Sequence, residues 1–193
     1  MNKSIELPQL TIKALQDGAT SFVVPIDQDK LNNHIYNEAR LEGYIKLFAL
    51  LQAGDKDVFV KEELPIYPPT YGDNSYLTGY EPKTTLASQM TKEQSRFSID
   101  IEDVRIVRVQ DIDFDTKQDI FPYQRIIQCY DEEQFANDDF IDKFNNLIQE
   151  YEDNHFTETG ERISLGNYED NPYVFLYDVK VTTKEFYKET EDK

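Results

Sequence analysis

The chain has one cysteine, two histidines and no apolar run near the length of a membrane span. A lone Cys129 excludes an internal disulfide and fits a reducing compartment. Its setting, Ile126-Ile127-Gln128-Cys129-Tyr130, reads as a packed element in which the thiol is filler. His34 and His155 have no metal-ligating neighbour at the usual spacings, so no metal site is expected. The opening Met1-Asn2-Lys3-Ser4-Ile5-Glu6 carries no signal-peptide core. With no membrane-spanning run, the expected location is cytoplasmic.

Basic residues are the largest shortfall. Against 38 Asp+Glu stand 20 Lys+Arg, a formal charge of −18 over 193 residues. Such a field repels nucleic-acid backbones and anionic membranes, which argues against long duplex DNA as a partner. What is present is a core: 39% hydrophobic residues, with 13 Tyr and 12 Phe, exclude a disordered acidic chain. The length suits one globular domain.

The acidity is regional. Residues 1–64 and 65–128 each hold 10 acids and 7 bases, whereas residues 129–193 hold 18 and 6. Within 131–170, 13 acids face only Lys143 and Arg162. This stretch still has a folding pattern, because Phe135, Phe140, Ile141, Phe144, Leu147, Ile148 and Tyr151 recur at helical spacing. Asp138, Asp139, Asp142, Glu150, Glu152 and Asp153 fall mainly off that stripe, with Asp138 and Asp139 expected near the helix start. Two readings stand: a solvated helix face, or a negative surface that imitates phosphates or docks on a basic protein.

Elsewhere Pro8 opens an expected helix to about Asp17, stopped by Gly18. Val23-Val24-Pro25-Ile26 reads as a short strand, and Asp29 as the cap of a helix continuing past a break at Gly43 to Leu51. Residues 65–82 hold four of the eight prolines with Tyr67, Tyr71, Tyr76 and Tyr80, a long loop that either packs across the fold or stacks a ligand. Phe97, Ile99 and Ile101 alternate, then the phase moves to Val104 and Ile106, and again to Val107 and Val109, which implies bulges or a bend. A last strand is expected from Tyr173 to Thr182. The combination predicts an α+β fold around a small bent barrel with flanking helices and the Pro/Tyr-rich loop.

The stretch from Met90 to Ile112, with Ser95-Arg96, Asp103-Val104-Arg105, Arg108 and Gln110-Asp111-Ile112, resembles the central strand motif of ASCH-domain prophage proteins, members of the PUA-like superfamily of small barrels. Three further blocks resemble that family in its own order: Leu7 to Gly18, Gln52-Ala53-Gly54-Asp55 with Val58 to Glu62, and Asn171-Pro172-Tyr173-Val174-Phe175. The resemblance implies a single ASCH/PUA-like domain over 1–183, with an acidic helical insertion at about 131–165 and a charged tail at 184–193. It also implies a cleft for RNA or modified nucleosides; some members resemble amidohydrolases that act on acetylated cytidine through a Lys and a Thr after the first glycine and a downstream Glu.

This chain departs from that pattern, reading Gly18-Ala19-Thr20-Ser21-Phe22-Val23-Val24-Pro25. Thr20 takes the place of the Lys, Ser21 that of the Thr, Glu62 matches the Glu, and the arginines give way to valines. A Thr cannot supply the charge or the base chemistry of a lysine. No catalytic residue and no cofactor are therefore expected. The resulting expectation is a non-catalytic phage-type or mobile-element binding module for a nucleobase, nucleotide or short RNA end. Its candidate cleft is Thr20, Ser21, Lys61, Glu62 and Arg96, the four loop tyrosines could stack, and Arg105 and Arg108 add local positive charge. The alternative is an acidic inhibitor or nucleic-acid mimic directed at a basic host nucleic-acid-binding or defence protein.

Overall fold

The computed structural model describes residues 3–34, 40–61, 64–66, 83–85, 89–122, 132–154, 163 and 165–183. In chain order these form β1 (Ser4–Glu6), α1 (Gln9–Gln16), β2 (Ser21–Pro25), α2 (Gln28–His34), α3 (Leu41–Phe48), β3 (Val58–Lys61), β4 (Leu64–Ile66), β5 (Lys83–Thr85) and β6 (Phe97–Arg108). A 3-10 turn over Val109–Asp111 leads to α4 (Phe114–Ile120), α5 (Glu132–Asn154) and β7 (Tyr173–Thr183). The fold is α+β. Among the described residues no helix is long and apolar enough to cross a membrane.

The main sheet has five strands in the order β1-β3-β6-β7-β2, with only β1 and β3 parallel, and β4 and β5 form a separate ribbon. The expected closed barrel is not formed among the described residues, because β1 and β2 are both edges and no ladder joins them. The spine is the antiparallel β6–β7 pair. Ile101 pairs with Val179 and Asp103 with Asp178, so Glu102 is an extra residue that bulges. The buried set shifts with it, from Phe97, Ile99 and Ile101 to Val104. That is the first phase change seen in the sequence. The second is the end of the strand, where Val109 is buried inside the 3-10 turn.

Helix ends follow the local chemistry closely. At the end of α1, Gly18 has φ +106°, its N–H donates to Leu15 O at 3.3 Å, and Ala19 N–H reaches Ala14 O at 3.0 Å. This paired closure needs the left-handed residue that glycine supplies. Pro8 begins α1 but offers it no side-chain cap; instead Gln9 N–H donates to the Glu150 carboxylate at 3.1 Å. The cap of α2 is Asp27 rather than the expected Asp29, since Asp27 Oδ1 accepts from the N–H groups of Asp29 and Lys30, both at 3.1 Å. No break falls at Gly43, which is inside α3.

Helix α5 starts at Glu132, so Asp138 and Asp139 lie in its second turn rather than near its start. Phe140, Phe144, Leu147 and Ile148 join the common core, as the stripe predicted, whereas Phe135 is 52% exposed and Ala136 takes the buried place. Besides the β4–β5 ribbon, which takes in Pro65 and Ile66 of the expected loop, two elements were not legible in the pattern, β1 and α4. The latter is capped by Asp113, whose carboxylate accepts Thr116 N–H at 2.9 Å and its hydroxyl at 2.8 Å. Lys117 of α4 is buried, with Nζ 3.3 Å from the Tyr168 hydroxyl and 5.6 Å above the Phe140 ring. Its methylenes pack while the cation faces aromatic density.

Glu150→Ala removes the acceptor and the negative charge at the start of α1. A loss of about 1 kcal/mol is expected, a drop of about 2–4 °C in thermal midpoint for a chain of this size. Differential scanning calorimetry tests it, with Glu150→Gln recovering part of the loss.

Several carboxyls are held below their usual range. For Asp100 the largest cause is the Asp57 N–H, with Lys56 and Lys180 adding to it against burial; for Asp113 it is the N–H and hydroxyl of Thr116. Burial pushes Asp55 up, but the Lys3 ammonium and the Gln52 N–H outweigh it. A carboxyl depressed in the folded state adds stability above its unfolded value of about 3.9, and loses it as pH falls through the folded value. Urea midpoints are therefore expected to fall below about pH 4, and Asp100→Asn should shallow that fall while leaving a lower midpoint at pH 7.

Candidate ligand-binding site

Thr20 and Ser21, the start of the cleft expected from the sequence resemblance, form a structural corner. Thr20 N–H and hydroxyl both donate to the Asp119 carboxylate at 3.0–3.1 Å, tying β2 to α4. Ser21 is buried, and its hydroxyl donates to Asp178 Oδ1 at 3.1 Å. Asp178 Oδ2 also accepts from Arg105 Nη2 at 2.7 Å, and Arg105 Nε lies 3.4 Å from Asp103. Each hydroxyl proton is thus committed to a carboxylate. Tyr177 lies beside this corner, stacked on Phe22 at 4.9 Å between centroids, and burial pushes its phenol up to about 12. It stays protonated at neutral pH.

Lys61 is at the end of β3 and Arg96 just ahead of β6, while β6 and β7 separate β3 from β2. Thr20 and Ser21 therefore sit three strands away from Lys61. Glu62 and the four tyrosines at 67, 71, 76 and 80 lie outside the described residues.

The opposite end of the β6–β7 spine carries a cleft. Arg108 and Tyr173 are the last cross-strand pair of the ladder, and the guanidinium lies 4.1 Å from the centroid of the phenol ring. Arg108 Nη1 also donates to Asn171 O at 2.8 Å. Asn171 has φ +48°, a left-handed turn that asparagine tolerates, and its Oδ1 accepts Gln110 N–H at 3.0 Å. The stack lines an open cleft of about 380 Å³, together with Asp29 and Asn32 of α2 and Asp170. A second hollow of about 260 Å³ shares Arg108 and Tyr173 and is lined by Leu41, Ile106 and Val107. The first of these is in the volume range of small-ligand sites.

Gln28 holds the cleft wall to its floor. Its side-chain Oε1 accepts Tyr173 N–H at 3.0 Å, and Nε2 donates to Tyr173 O at 3.0 Å and Ile26 O at 2.6 Å. The β2–β7 ladder ends at Pro25, opposite Val174, so the amide of Gln28 makes the next pair of bonds that a strand would have made. Nothing in the sequence points to this. Arg108 and Tyr173 do fall inside blocks singled out above, but only the bulge-corrected register puts one over the other.

The six carboxylates of the expected acidic surface divide. Asp139 pairs with Lys143 at 2.6 Å, Glu150 holds Gln9 N–H, Glu152 accepts Leu165 N–H at 2.9 Å, and Asp153 accepts from Gln149 at 3.1 Å. Asp138 and Asp142, one turn apart, remain exposed. Among the described residues no group of three or more His, Cys, Asp or Glu is placed to hold a metal ion.

No family model, curated protein or solved structure matches the chain.

Asp119→Ala frees two donors on Thr20 at once. A loss of about 1–2 kcal/mol is expected, as for charged hydrogen bonds that are partly exposed, read as a lower urea midpoint with an unchanged slope. Asp119→Asn should keep about half of it. An Asp119→Ala midpoint equal to that of the parent chain would refute the clasp.

Proposed function

We propose that the chain is a non-catalytic binding module, a divergent relative of the ASCH/PUA-like proteins of phage or mobile-element type, and that its ligand is a nucleobase. On this reading the five-stranded sheet corresponds to the small barrel of that superfamily with the seam between β1 and β2 open. The observation that carries the reading is the Arg108–Tyr173 stack in a cleft of about 380 Å³. The outer plane of an exposed guanidinium is a platform for an aromatic ring, and the neighbouring side chains offer hydrogen bonds at its edge. A nucleoside, a nucleotide or the end of a short RNA would present such a ring.

Absence of catalysis is supported by the corner at Thr20 and Ser21. No lysine stands there, and both hydroxyls donate to carboxylates that fold the corner together. The acidic-inhibitor reading has less to draw on. It needs a free negative surface, and of six candidate carboxylates only Asp138 and Asp142 remain without a partner among the described residues.

Titrating isotope-labelled protein with the four ribonucleosides tests the proposal. Saturable shifts at millimolar ligand or below are expected for residues around Arg108 and Tyr173. Arg108→Ala should weaken binding by about fivefold or more, in line with stacking on such platforms. Arg108→Lys keeps the charge but not the plane, and should weaken it nearly as much. Shifts confined to the Thr20–Asp119 corner, or none with any nucleoside, would sink the proposal.

A further inference from the structure

The cleft offers its ligand an uneven set of groups. The Arg108 guanidinium is partly engaged, by Asn171 O, and Asp170 Oδ2 accepts Asn167 N–H at 3.0 Å. Asp29 and Asn32 differ. Both are exposed on α2, both line the cleft, and neither side chain is bonded to any described residue. Only the backbone N–H of Asp29 is used, by Asp27. Three positions apart on one helix, the two side chains are neighbours. The free edge of the cleft therefore presents a carboxylate, which accepts only, next to an amide, which donates and accepts.

The geometry points to guanine as the base this cleft selects, carried by an uncharged nucleoside. The inference rests on the nucleobase reading above. Guanine is the one common base whose pairing edge has two adjacent donors, N1–H and the exocyclic N2–H, followed by the O6 acceptor. A carboxylate receives two parallel N–H groups as it receives the fork of an arginine. Asp29 would take both, and the Asn32 amide would donate to O6. Adenine and cytosine each place an unprotonated ring nitrogen where N1–H should be, which faces the carboxylate lone pairs and leaves a charge unpaired. Uracil brings a single donor between two carbonyls. The ligand's charge follows from the same residues. Asp29 and Asp170 flank the cleft and the chain carries −18, so a phosphate on the ligand meets repulsion that one arginine does not cancel.

The test is a set of titrations of the intact chain with guanosine, inosine, adenosine and guanosine 5′-monophosphate, followed by NMR shifts or calorimetry. Guanosine is expected to bind about tenfold or more tightly than adenosine, the scale of one bidentate base contact. Inosine, which lacks the N2 amine, should fall between them. Asp29→Asn should reduce guanosine affinity by about tenfold and leave adenosine within about twofold, removing the preference. Because the Asp29 side chain is bonded to no described residue and only its charge favours the start of α2, a thermal midpoint lowered by at most about 2–4 °C is expected for this variant. Equal binding of guanosine and adenosine, or a preference that survives Asp29→Asn, overturns the assignment to guanine while leaving the nucleobase reading standing. Tighter binding of the monophosphate overturns the assignment to an uncharged ligand. Failure of every nucleoside overturns both readings.

Discussion

A backbone N–H at a helix start or in a turn must find an acceptor, and in this chain the acceptor is repeatedly a carboxylate. Glu150 serves Gln9, Asp119 serves Thr20, Asp27 serves Asp29 and Lys30, Asp55 serves Gln52, and Asp100 serves Asp57. Asp113, Glu152 and Asp170 do the same for Thr116, Leu165 and Asn167. These bonds set the entry of α1, α2 and α4, and fix the segments that lead into β2, β3 and β7. The acid surplus is thus partly internal wiring: these carboxylates keep their negative charge while their lone pairs hold the fold. Bonds to charged acceptors are the stronger class, so each such turn is better defined than a neutral one would be.

The second constraint is the β6–β7 ladder, on which Asp178 accepts from the side chains of Ser21 and Arg105. One extra residue at Glu102 changes which side chains of β6 face the core, and everything beyond it follows. Val104 becomes buried, Arg105 reaches Asp178, and Arg108 ends opposite Tyr173. A strand without the bulge would send this half of its residues to the other face. The cleft and the Ser21 corner both stand downstream of that one insertion.

Much of this was legible because it depends on short-range chemistry. The strand alternation around Ile99 and Ile101, the phase change, the stripe through Phe140, Phe144 and Leu147, and the stop at Gly18 are all written at spacings of two to four residues. Two expectations fail for one cause: a polar residue that its position sets on the solvent face is claimed by a backbone group distant in sequence. Glu150 and Glu152 looked like solvated acids, yet each reaches a segment far away in sequence. Asp27 and Asp29 are equally good caps on paper, and the core contact of Leu31 settles where the helix begins. Helix α4 escaped notice because its seven residues give hardly two turns of periodicity, although Asp113 and Thr116 carried its capping signature. The candidate site was the least legible part. Thr20, Ser21, Lys61 and Arg96 were grouped by order in a family pattern, whereas proximity is decided by the strand order, which places β6 and β7 between β2 and β3.

On the proposed reading, Gln28 has a consequence for how the cleft meets a ligand. By standing in for a missing stretch of strand, its side chain binds the helix that forms one wall to the backbone of the residue that forms the floor. The freedom of that wall is given up when the chain folds, not when a guest arrives. A shallow site with few contacts gains most from such pre-organisation, since little binding energy is available to order anything further. Recognition here would then resemble the seating of a flat key on a finished ledge, fast to enter and fast to leave, with selectivity residing in the edge of the ring and not in closure around it.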